Sequence, residues 1–257
     1  MNRVIAPLAA LLLSGPFAAH AAAPSADEII ARNVEARGGS ARLKAITVLK
    51  RRGRLVIPGA NLELTLTEVQ TRSGAFRTDL TLQGLTAIQA YDGHEAWQVD
   101  PFEGRKDPAR MSADEAKEFQ LGSDFEGPFV DYRAKGHAVE YLGQEDIDGT
   151  PAHKLRVRLK WGDEATYWFD PDTWMVIREL DRRTLRGADH WVETDYGEYE
   201  RVQGVYVPMS EEQGAKDSDP ARRQKLVFDA AEANLPLPPS LFAFPPAKPQ
   251  PVAEVRT

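Results

Sequence analysis

The sequence predicts a mainly-β protein built on one long, curled antiparallel sheet with one or two short helices. Two observations carry this reading. From Thr47 onward apolar residues recur with period two, and turn pairs containing glycine interrupt them at short spacing, which is the signature of an antiparallel meander. A third observation narrows the class: the 257 residues include no cysteine, so disulfide scaffolds, zinc ribbons and thiol nucleophiles are excluded.

The first stretch reads as a targeting segment. Arg3, the apolar run 4–13, Ser14-Gly15-Pro16 and Ala19-His20-Ala21 have the order of a secretory signal peptide cleaved near Ala21. The organisation expected is therefore a leader over 1–21, a single domain over 22–244 exported to the periplasm, and a Pro-rich, disordered tail over 245–257. The apolar run falls short of the ~20 residues that span a bilayer, and no later segment approaches that length. Arg3 is the only charge in the leader, so the net charge goes from −7 to −8 on cleavage. An acidic chain with no basic run lacks the phosphate-neutralising patch that a nucleic-acid partner requires. With no cysteine to acylate, the chain is also not a lipoprotein.

After the leader, Ser25 and Glu28 form a capping box that starts a helix, on which Ile29, Ile30, Asn33 and Val34 make one stripe. Gly38-Gly39 end it, and Ser40 opens a short second turn through Leu43 and Ile46. Such a helix buries one face only, against something larger.

Strands are expected over 47–57, 60–70, 75–82, 85–91, 95–99, 138–147, 151–160, 164–169, 175–186, 188–199, 202–207 and 224–233. Pro58-Gly59, Ser73-Gly74, Gln83-Gly84, Asp92-Gly93, Asp148-Gly149, Gly162-Asp163, Arg186-Gly187 and Gln203-Gly204 supply the turns. Long consecutive antiparallel strands curl instead of staying flat. Between Asp100 and Gly136 the alternation stops. Ser112 and Glu115 form a second capping box, with Met111 and Ala116 as a hydrophobic staple, so a helix is expected over 113–121. The aromatic segment Phe125-Glu126-Gly127-Pro128-Phe129 follows. An insertion of this kind in a meander covers an opening or fills a concavity. Beyond Pro236 the prolines crowd, and Leu241, Phe242 and Phe244 are expected to hold the tail on the body.

No catalytic constellation emerges. His94, His137, His153 and His190 are scattered, with no metal-ligand spacing. They read as surface residues or satisfied sheet residues, His94 and His137 in exposed loops. No G-x-S-x-G elbow occurs, and Gly38-Gly39-Ser40 is a helix cap. The acidic pairs, Glu211-Glu212 among them, read as solvated turn residues, and Asp217-Ser218-Asp219-Pro220 as a turn. The chain is therefore expected to be neither enzyme nor metalloprotein, and to need no cofactor. The many aromatics on strands and in the insertion, with a sheet more concave than its helices can fill, point instead to a cavity for an apolar ligand.

Several segments carry a resemblance. Ala36-Arg37-Gly38-Gly39 with Leu43-Lys44-Ala45-Ile46, Tyr91-Asp92-Gly93 with Trp97 and Pro101-Phe102-Glu103-Gly104, and Phe125 through Tyr132 resemble the LolA-like outer-membrane lipoprotein-sorting family. The resemblance spans nearly the whole exported chain, and the last segment is the most specific. It implies an open half-barrel of about eleven strands, closed by the N-terminal helix and the central insertion around a cavity for acyl chains. It also implies a soluble, monomeric carrier that takes a lipoprotein or lipid from an inner-membrane exporter to an outer-membrane acceptor. The same fold serves RseB-type sensors of a membrane partner, which is the alternative. The arginine that governs the lid in characterised carriers has its candidates here in Arg51, Arg52 and Arg54. The alternation then assigns Leu62, Leu64, Leu66, Phe76, Leu80, Leu82, Leu155, Val157, Leu159, Tyr167 and Phe169 to the cavity wall, and Phe119, Phe125 and Phe129 to the lid or plug.

Overall fold

A computed structural model describes residues 23–113, 115, 116, 124, 126–185 and 188–246. The leader and the tail from residue 247 lie outside them. Two short helices, α1 (Ala26–Ala36) and α2 (Ser40–Ala45), precede six strands: β1 (Val48–Ile57), β2 (Leu62–Thr71), β3 (Phe76–Leu82), β4 (Leu85–Tyr91), β5 (Ala96–Asp100) and β6 (Arg105–Arg110). Seven more follow: β7 (Ala138–Ile147), β8 (Thr150–Arg158), β9 (Glu164–Phe169), β10 (Val176–Leu185), β11 (Ala188–Val202), β12 (Val205–Ala215) and β13 (Gln224–Ala233).

The expected helix start forms as read. Ser25 N and Oγ both donate to Glu28 Oε2, at 2.7 and 2.9 Å, and Glu28 N donates back to Ser25 Oγ at 3.2 Å. Gly38 and Gly39 follow with φ of 120° and 87°, a region that glycine enters without a steric cost. Gly38 has a second reason to be glycine, because a Cβ there would overlap the carbonyl oxygen of Gly204 in the β11–β12 turn.

All thirteen strands belong to one antiparallel sheet, in the order β6-β5-β4-β3-β2-β1-β13-β12-β11-β10-β9-β8-β7. Two meanders thus run outward from a central seam where the first strand pairs with the last, Leu49 opposite Ala233 and Leu55 opposite Leu226. Gly53 sits at this seam beside a shift of register, and a Cβ on it would overlap the Val227 carbonyl oxygen. Only backbone without a side chain fits there. β12 meets β13 over four residue pairs, from Ser210 opposite Val227 to Gln213 opposite Gln224. Below Ser210 the two strands part, and the space is filled by Leu43 and Ile46 with Val205, Val207, Met209 and Phe228.

The strand count differs from the expected eleven or so. One reason is β6, whose Arg105-Lys106-Asp107-Pro108-Ala109-Arg110 is mostly exposed and so lacks the alternation that burial imposes. Charge and proline are the usual guards of a free sheet edge. β12 also continues through Pro208 to Ala215, well past residue 207 where it was expected to end. Pro208 lies opposite Tyr199 and below the point where β13 joins, so its missing N–H breaks no bond to β13.

One face of the sheet carries the helices. Ile29 and Ile30 of α1 pack with Leu155, Val157, Tyr167 and Phe169, and α2 lies over the seam. Met111 and Ala116, the predicted staple, rest on Phe76, Tyr91 and Ala96. The Ser112 capping box is present, with Ser112 N and Oγ donating to Glu115 Oε2 at 2.8 Å each; the rest of the 113–121 helix lies outside the described residues. The opposite face takes the tail. Phe242 packs with Val69 and Ala75, its carbonyl accepts from Trp97 Nε1 at 2.8 Å, and Phe244 meets the Trp97 ring edge-on at 6.2 Å.

Candidate functional site

The topology places the insertion. β6 ends at one edge of the sheet and β7 begins at the other, so the chain between them must pass from edge to edge, and its described residues Met111, Ala116, Phe129, Val130 and Tyr132 pack on the face that carries the helices. Beneath their middle is a cavity of about 350 Å³. Leu49, Arg51, Glu68, Gln70 and Phe76 line it from β1–β3, and Tyr167, Val176, Glu179, Asp181, Thr194, Tyr196, Tyr199, Val207, Glu211 and Gln213 from β9–β12, while Asp124, Gly127, Pro128 and Phe129 approach from the insertion.

The insertion is pinned where it crosses. Arg37, at the end of α1, donates from Nη1 to the Glu126 carbonyl at 2.6 Å, and Arg72 forms an ion pair with the Glu126 carboxylate. Arg72 also donates to the carbonyls of Ile46 (2.8 Å) and Leu43 (2.5 Å), so one guanidinium ties α2, the β2–β3 turn and the insertion together. Phe129 lines the cavity and meets Tyr167 (4.9 Å) and Phe169 (5.1 Å) edge-on.

The residues expected at the wall divide into groups. Phe76, Leu159 and Tyr167, with Phe129, reach the cavity itself. Leu66 and Leu80, direct partners across β2 and β3, pack under α2, and Leu155, Val157 and Phe169 pack under α1. Leu64 is buried, while Leu62 and Leu82, beside the strand turns, are half-buried. Phe119 and Phe125 lie outside the described residues.

The wall is less apolar than expected. Arg51, one of the three arginines named as candidates from the resemblance, is buried at the cavity floor. Its Nη2 reaches Glu68 Oε1 at 2.5 Å, and its Nη1 reaches Glu211 Oε1 at 2.5 Å and the Pro208 carbonyl at 3.1 Å. The guanidinium also stacks 3.9 Å over the Phe228 ring. Burial works against its charge, but Glu211 and Glu68 hold its pKa above the ordinary value. Glu211 is therefore not a solvated turn residue. Neighbouring Glu212 likewise lies in β12, paired with Lys225 at 2.6 Å. Arg52 and Arg54 face away, toward Glu232 and Asp229.

A second network crosses β9–β11. Tyr167 Oη donates to Glu179 Oε1 and Tyr196 Oη to Glu179 Oε2, each at 2.5 Å. Burial, and then the nearby Asp181, push the Glu179 carboxyl well above the usual carboxylate range. Burial and Glu179 push both tyrosines up as well. No sequence motif marked this group, because its members lie on three strands and meet only through register.

One histidine departs from expectation, while His94, His153 and His190 are the surface or satisfied strand residues expected. His137 is buried, not exposed. Its ring meets Trp161 edge-on at 5.7 Å, and its Nδ1 accepts from Lys160 N at 3.3 Å. His153 is buried under α1, stacked on Trp174 at 5.3 Å and bonded through Nδ1 to Tyr141 Oη at 3.1 Å. His94 and His190 are exposed. Asp217-Ser218-Asp219-Pro220 is a turn, in which Asp219 Oδ1 accepts from Ala221 N at 2.8 Å.

These features, a single antiparallel sheet with two short helices and an edge-to-edge insertion over its covered face, define a LolA-like fold. Solved structures share it. A DUF1329 family protein from Desulfovibrio piger superposes with a TM-score of 0.55 at 11% identity, covering 84% of this chain and 95% of its own. A LolA superfamily protein from Nitrosomonas europaea gives 0.53 at 12% identity, covering 86% and 98%. An outer membrane lipoprotein-sorting protein domain from Vibrio parahaemolyticus gives 0.52 at 11% identity, covering 82% and 93%. At these identities the likeness is one of fold. No family model and no curated protein matches the sequence. Among the described residues, no helix is long and apolar enough to cross a membrane.

Proposed function

We propose that the protein is a periplasmic carrier that holds the acyl chain of a lipoprotein or lipid inside this cavity and moves it between membranes. The observation that carries the reading is a partly apolar cavity lined by both halves of the sheet and by Asp124 and Gly127 to Phe129 of the segment that joins its two edges. In an open half-barrel of this kind a chain could enter and leave past the insertion without the sheet unfolding. Phe76, Leu159 and Tyr167 form the contact surface and Phe129 the plug. Leu66, Leu80, Leu155, Val157 and Phe169 form the shell that supports them. Each buried methylene contributes about 0.8 kcal/mol, so partial insertion of one chain gives useful affinity, and the Arg37 and Arg72 contacts to Glu126 set how readily the lid moves. The likeness to a lipoprotein-sorting domain supports this reading.

Native mass spectrometry of protein purified from periplasm, followed by lipid extraction, tests it. A stoichiometric acyl-bearing ligand, lost in Phe76→Glu, is the expected result. A persistently empty protein that copurifies with a membrane regulator would overturn the carrier and leave the sensor.

A further inference from the structure

The acids and arginines that line the cavity already have their partners. Arg51 is held by Glu68 and Glu211, Asp124 by Lys135 Nζ at 2.5 Å, and Arg37 donates to the Glu126 carbonyl. Glu179 accepts from a tyrosine on each of its carboxyl oxygens, and its side chain is also hydrogen-bonded to that of Asp181. A ligand charge of either sign would leave water for this low-dielectric wall and find no opposite charge free to receive it, which costs free energy.

What the wall keeps is hydroxyl chemistry. Register sets Tyr167 opposite Glu179, Glu179 opposite Thr194, and Thr194 opposite Gln213, so a hydrogen-bonding row crosses β9–β12, with Tyr196 two residues from Thr194 on β11. All five line the cavity. Tyr167 and Tyr196 each spend their one proton on Glu179, and each phenol oxygen can still accept a bond. Thr194 Oγ1 accepts from Gln213 Nε2 at 3.4 Å and has its own proton to give. Two acceptors and a donor without charge are the complement of an alcohol. Leu49 and Val207, beside α2, give the same cavity an apolar end, and a chain lying there would set its head on the row. We propose that the cavity selects lipids with an uncharged, hydroxyl-bearing head, acylglycerols being the simplest, seated on Thr194 and Tyr196, over those with an ammonium or phosphate head. This rests on the carrier reading and names its ligand class.

Matched single-chain probes test it: dodecanoylglycerol, dodecylammonium and dodecyl phosphate, titrated below micelle formation into the full-length exported protein. Trp161 lines the cavity, so quenching or shift of tryptophan fluorescence reads binding, and calorimetry confirms it. At pH 7.5 dodecanoylglycerol is expected to bind about tenfold or more tighter than either charged probe. Thr194→Val should weaken it about threefold or more and leave the charged probes within about twofold of the parent, whereas Thr194→Ser, which keeps the hydroxyl, should bind like the parent. Tyr196→Phe takes the place of Thr194→Val if that variant does not fold. A charged probe binding as tightly as dodecanoylglycerol, or a preference that loss of the hydroxyl leaves untouched, overturns this inference and leaves the carrier standing. Failure of all three probes to bind removes the carrier reading and this inference with it.

Discussion

Arg51 and Glu68 lie directly opposite each other on β1 and β2, both buried, with Nη2 and Oε1 2.5 Å apart at the floor of the cavity. The pair is completed by Glu211 from β12, a strand on the other side of the seam. One guanidinium therefore links β1 to β12 past β13 at the end of the β12–β13 ladder, reaching Glu211 inside the ladder and the Pro208 carbonyl just beyond it.

Removing that cation should be costly. Arg51→Met leaves the buried Glu68 and the half-buried Glu211 without their partner, and breaking a buried pair in this way costs about 3–5 kcal/mol. Urea unfolding should show that loss, with partial recovery in Arg51→Met/Glu68→Gln. A single variant within about 1 kcal/mol of the parent would show that the triad does not fasten the sheet.

Glu179 gives an opposite sign to ordinary carboxylates. Its folded pKa is raised by burial and by Asp181, so the folded state binds more protons above the unfolded carboxylate pKa of about 4.3. Its contribution is present at acid pH and is lost as pH rises through the folded pKa. Glu179→Gln cannot ionise, so its melting temperature relative to the parent should climb from pH 5 to pH 9. A constant difference would contradict the direction.

His137 and His153 act in the other window. Burial depresses both pKa values, with Lys135 adding to it at His137 and Arg32 at His153. The unfolded chain then binds more protons below about pH 6.5, and stability falls as pH drops from there through the folded values. Protonation of His137 Nδ1 would also abolish its bond from Lys160 N. His137→Gln and His153→Gln should each flatten the stability profile between pH 7 and pH 5. An unchanged slope in both would rule the histidines out as its source.

Gly53→Ala tests the seam sterically. The added Cβ must displace the Val227 backbone, which has no flexible end to move, so a loss of about 2–3 kcal/mol is expected in chemical unfolding. Gly84→Ala is the control: nothing lies within 4 Å of the added methyl, although its φ of 80° carries a smaller strain of its own. Equal losses would mean that backbone conformation, not the seam, limits both sites.

How much the sequence reveals depends on how far apart the deciding atoms lie. The capping boxes at Ser25 and Ser112 are complete within four residues, and both form as read. The inward parity of Leu66, Phe76 and Leu80 follows from alternation in two strands with a buried face. β6 escapes because a charged edge strand has no buried face to print a pattern. Glu211 and Glu179 escape for a different reason. Each looks like one more solvated acid until register sets it beside Arg51 or between two tyrosines, and register across three strands is not written in any single segment.

The central seam also bears on how the chain folds. Because β1 pairs with β13, the middle of the sheet cannot close until nearly the last residue of the domain is present. Each meander can zip from its own hairpins, but they join only through contacts of very high sequence separation, the slowest kind to form. A chain threaded out of the cell from its N-terminus would stay in two unjoined halves until the end of its passage, with the cavity assembled last.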